Sequence, residues 1–131
     1  MNITIPEFIP EIKPEWKCPA LTFEGLTARQ GVLLCDALRS IERVSCGICR
    51  EIYEHLRGDD EENDDVLDIL SKAMTIALYP KVFVTYHWRE KGYDQFNPEL
   101  RVLGQQIRLQ WVKHILKHLE GPVADEVNRY R

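Results

Sequence analysis

The sequence has no uninterrupted apolar run near the ~18 residues that a membrane-spanning helix needs, and its start lacks the basic and apolar stretches of a secretory leader. A membrane protein is not expected, and the chain reads as cytoplasmic. Cysteine is scarce: Cys18, Cys35, Cys46 and Cys49 are too few for the disulfide framework of a small secreted domain, so reduced thiols are expected. There is no Gly-x-Ser-x-Gly elbow, phosphate-binding loop, dinucleotide fingerprint or His-Glu-x-x-His pair. Without a nucleophile or metal base in a recognisable setting, no enzymatic activity is expected. His87, with Tyr86 and Trp88 beside it and Glu90 close by, is the best candidate for a general base, and its aromatic setting reads more simply as packing.

What is present fits one ordinary domain. The 131 residues are 44% hydrophobic and 29% charged, enough to build a core under a solvated surface. The net charge of −4 hides an asymmetry, since residues 1–80 hold 8 basic and 15 acidic side chains and residues 81–131 hold 9 and 6. The acidic excess peaks at Asp59-Asp60-Glu61-Glu62-Asn63-Asp64-Asp65, read as a solvated connector or helix start. A calcium loop is excluded there. Its sixth position needs glycine and its twelfth glutamate, and counting from Asp59 or Asp60 gives Asp64 or Asp65, then Leu70 or Ser71.

Residues 1–26 carry Pro6, Pro10, Pro14 and Pro19, spaced too closely for a lasting helix, which predicts an extended arm. The arm is also apolar, with Ile3, Ile5, Phe8, Ile9, Ile12 and Trp16, so it must dock: on its own domain, or on a partner to which Ile3-Thr4-Ile5 or Leu21-Thr22-Phe23 adds a strand. Residues 27–131 read as a helical domain. Thr27-Ala28-Arg29-Gln30 is a capping box, and the helix it opens shows an apolar stripe from Leu34 to Leu56, with a weak point at Ser45-Cys46-Gly47. A second helix, capped by Asn63 or Asp64 and ended by Tyr79-Pro80, is apolar on much of its circumference and is expected to lie centrally. Residues 81–88 are β-branched and aromatic, and read as either a strand or the entry to a helix. Asn97-Pro98 opens a third helix, expected to stop at Gly121-Pro122 with a short helix after it. The expected fold is mainly α: a compact bundle of about three long helices, the arm packed across it, and one short β ladder. Leu34, Leu38, Ile41, Ile48, Ile52, Leu56, Leu67, Leu70, Met74, Trp111, Ile115 and Leu119 form the expected core.

Two constellations suggest chemistry. Cys46 and Cys49, two residues apart, offer paired thiolates, and His114 and His118 offer two imidazoles from one helical face, together a Cys₂His₂ set for zinc with His55 as a substitute ligand. Core packing is the plainer role for these residues, so no cofactor is expected and zinc is the alternative. A redox role for the cysteines fits poorly, because that motif belongs where a strand enters a helix. Gln106, Gln110, Lys113 and Lys117, with Arg101 and Arg108 on the same helix, suit a major groove, but an acidic domain with a sequence pI near 5.6 argues for a solvated face. The leading reading is a non-enzymatic protein-interaction module: an accessory subunit, assembly protein or protein inhibitor of a larger machine. It docks on a protein partner or on copies of itself through Ile3, Ile5, Phe8, Ile9, Ile12 and Trp16 and through its oppositely charged halves. The alternative is a zinc-stabilised regulator that binds nucleic acid through the last long helix.

Overall fold

The computed structural model describes residues 1–43, 64–80 and 98–129. Within them the chain is mainly helical, with one short two-stranded antiparallel sheet, in the order β1 (Ile3–Ile5), β2 (Leu21–Phe23), α1 (Ala28–Arg43), α2 (Asp64–Ala77) and α3 (Pro98–Arg129). The expected strand or helix at 81–88, and Ile48, Ile52 and Leu56 of the expected core, lie outside the described residues. So does the Leu67 side chain.

The N-terminal arm is a hairpin. Ile3 pairs with Phe23, Thr4 with Thr22 and Ile5 with Leu21, and the same register reaches an isolated bridge between Phe8 and Cys18. Pro6 has no N–H to give, which explains the break between ladder and bridge. At the open end Met1 and Leu26 exchange two backbone hydrogen bonds, of 2.7 and 2.9 Å. Between that pair and Ile3–Phe23, Glu24 and Gly25 oppose Asn2 alone, which makes a β-bulge. Gly25 supplies the φ of +65° that the bulge requires, and its N–H donates to Asn2 Oδ1 at 2.9 Å. Ile3 and Ile5 point into the core while Thr4 faces solvent, the alternation a half-covered strand demands.

α1 begins as the capping box predicts. Gln30 N–H donates to Thr27 Oγ1 and Thr27 N–H to Gln30 Oε1, each at 3.1 Å. Leu34, Ala37, Leu38 and Ile41 then bury one face completely. α1 packs against both α3 and α2, which touch each other more sparingly, so α1 rather than α2 takes the central place. The buried stripe of α2 is Ile69, Leu70, Ala73 and Ala77, whose small residues let α1 approach. Met74, expected in the core, is 40% exposed because it falls just off that stripe.

α3 begins at Pro98, as expected, and its inner face is Ile107, Trp111, Val112, Ile115, Leu116, Leu119 and Val123. It does not stop at Gly121-Pro122 but runs on to Arg129 with Pro122 inside it. Packing overrides the local signal: Val123 is buried against Gly31 of α1, where a Cβ would lie 2.8 Å from Val123 Cγ2. Among the described residues no helix is long and apolar enough to cross a membrane.

Candidate functional site

Two surfaces collect the residues the sequence points to. The first is the tip of the hairpin, residues 9–17, beyond the Phe8–Cys18 bridge. That bridge carries hydrogen bonds of 3.0 and 2.8 Å, from Phe8 N–H to Cys18 O and from Cys18 N–H to Phe8 O. A turn closes the tip where Trp16 N–H donates to Lys13 O at 2.9 Å. Pro10 and Trp16 are buried, and the Lys13 ammonium lies 5.9 Å from the centre of the Trp16 ring and 2.9 Å from Glu15. Beside these anchors Ile9 and Ile12 stand 52% and 58% exposed. The chain's own core takes up Ile3, Ile5 and Trp16, and Phe8 is half-buried, so of the six apolar residues singled out in the arm only Ile9 and Ile12 present most of their side chains to solvent.

The hairpin is held to α3 by an aromatic cluster. The Phe8 ring lies 5.2 Å from that of His114 and 6.2 Å from that of Trp111, and Trp111 stacks on His114 at 6.1 Å and 15°. His114 Nε2 meets the Pro6 carbonyl at 2.8 Å, and His118 Nδ1 meets the His114 carbonyl at 2.9 Å. A carbonyl only accepts, so these are the nitrogens that donate. The two rings are 4.6 Å apart. Cys46 and Cys49, the other half of the expected zinc set, lie outside the described residues, as do His55, Tyr86, His87 and Glu90. Among the described residues no three His, Cys, Asp or Glu side chains gather as a metal site would require.

The second surface is the outer side of α3. Gln106, Gln110, Lys113 and Lys117 share one solvent-facing stripe, with Gln110 half-buried at its edge. At about 100° per residue, Arg101 falls on the opposite side of the helix and does not join them. Arg108 is turned inward, only 8% exposed. Where the stripe meets α1 an open cleft of about 580 Å³ is lined by Arg39, Glu42, Lys113, Leu116, Lys117 and Glu120. Arg39 spans it, 3.1 Å from Glu120 and 3.1 Å from Asp36. Lys113 and Lys117 make no ion pair with a described residue.

No family model, curated protein or solved structure matches this chain. Its function is therefore argued from these two surfaces. Sequence reasoning missed the cleft because Arg39, Glu42 and Glu120 sit on two helices far apart in the chain, and periodicity reports only that each is on an outer face. It also missed the division of the arm into buried and exposed isoleucines. The one signal for that was Pro10 beside Ile9: a proline that fills the core turns its neighbour outward.

Proposed function

We propose that this chain is a non-catalytic protein-interaction module that docks through the tip of its N-terminal hairpin. It belongs to the class of accessory subunits, assembly proteins and protein inhibitors. The observation that carries the reading is the exposure of Ile9 and Ile12. They are the only exposed large hydrophobic residues in the first 31 positions, and both lie on the tip that Pro10, Trp16 and the bridge behind it anchor. Burying an isoleucine fully is worth about 1.5–3 kcal/mol, and a pre-organised tip loses little entropy on docking. Glu7, Glu11 and Lys17 around them are exposed, which gives the apolar centre and polar rim of a small docking site.

The test is Ile9→Asp with Ile12→Asp. Deleting residues 1–26 would not serve, since Ile3, Ile5 and Cys18 belong to the core cluster and Trp16 is buried with them. The double variant is expected to keep the circular dichroism spectrum and melting temperature of the parent while losing the proteins that cross-link to it or co-purify with it. A variant that keeps every interaction overturns the reading.

A further inference from the structure

We draw no further inference here: the strongest candidate, the apolar groove of about 350 Å³ that Ala28, Val32, Leu33 and Val127 line between the start of α1 and the end of α3, carries none because nothing in the structure shows what covers it.

Discussion

The indole nitrogen of Trp111 in α3 donates to the carbonyl oxygen of Ile76 over 2.8 Å, in the last turn of α2. That carbonyl also accepts from Tyr79 N–H at 3.2 Å as the helix ends. The last carbonyls of a helix have no partner within it, so a side chain from another helix both satisfies this one and fixes where α2 stops relative to α3. Trp111→Phe is expected to cost about 0.5–1.5 kcal/mol for the hydrogen bond, together with the smaller ring's lost packing. Trp111→Ala is expected to cost about 3–5 kcal/mol. Urea unfolding of the two variants separates the polar from the packing contribution, and equal losses would show that the N–H contributes nothing.

At Gly31 the side chain of Val123 in α3 packs close against the backbone of α1. A methyl group there would meet Val123 Cγ2 at 2.8 Å and Met1 Cε at 2.9 Å. The end of a methionine swings aside easily, whereas a valine methyl on a buried helix face does not. Gly31→Ala is therefore expected to destabilise, because overpacking of about 1–3 kcal/mol outweighs the gain of about 1 kcal/mol in helix propensity. In a Val123→Ala background the same change is expected to be neutral or stabilising, a coupling that a double-mutant cycle measures directly.

Pro122 interrupts α3 where the fold needs the helix to continue. Its missing N–H is the one that would bond the His118 carbonyl, a loss of roughly 3 kcal/mol in a helix interior. The residue is exposed, so Pro122→Ala removes no core packing. The variant is expected to melt at a higher temperature than the parent, and a lower one would mean that the contact of Val123 depends on a bend at Pro122.

Burial pushes the thiols of Cys18 and Cys35 up from their ordinary value of 9.0 to about 12 and about 11. For Cys35, Arg39 opposes the rise, while Glu120 and Asp36 add to it. An unfolded chain releases these protons above pH 9.0 and the folded chain holds them, so the unfolded state binds fewer protons and stability falls as pH climbs from 9.0 through the folded values. The stabilisation is fully present below that window. The urea midpoint is expected to drop over the lower part of it, and to drop less steeply when Cys18 and Cys35 are both alanine. Parallel slopes would assign the alkaline loss to other groups.

How much of this was legible in the sequence depended on how local the cause was. Thr27 and Gln30 satisfy each other within four residues, and both hydrogen bonds form; Pro98 opens α3 as its missing N–H allows. The stripes of Leu34, Leu38 and Ile41 and of Trp111, Ile115 and Leu119 are buried because period alone defines a helix face. Met74 escaped that logic, since α2 is apolar over so much of its surface that period cannot say which edge meets α1. Pro122 escaped it because a contact with Gly31, far away in sequence, outweighs a local stop signal. The arm was legible as something that must dock. That Ile5 enters the core while Ile9 leaves it follows from the way Phe8 and the Pro6 carbonyl lie against α3, and composition carries none of that.

The hairpin is fastened to α3 at two separated points. Phe8 lies on Trp111 and His114 near the tip, and Met1 shares the notch at Gly31 with Val123 near the base. A segment held at one point frays from its free end; one held at both ends opens only when its support lets go. The amide hydrogens of Phe8 and Cys18, though they belong to a stretch with only short strands, should therefore exchange with solvent at the pace of the middle of α3. The first and last elements of the chain make up a single cooperative unit that no cut in the chain order would suggest.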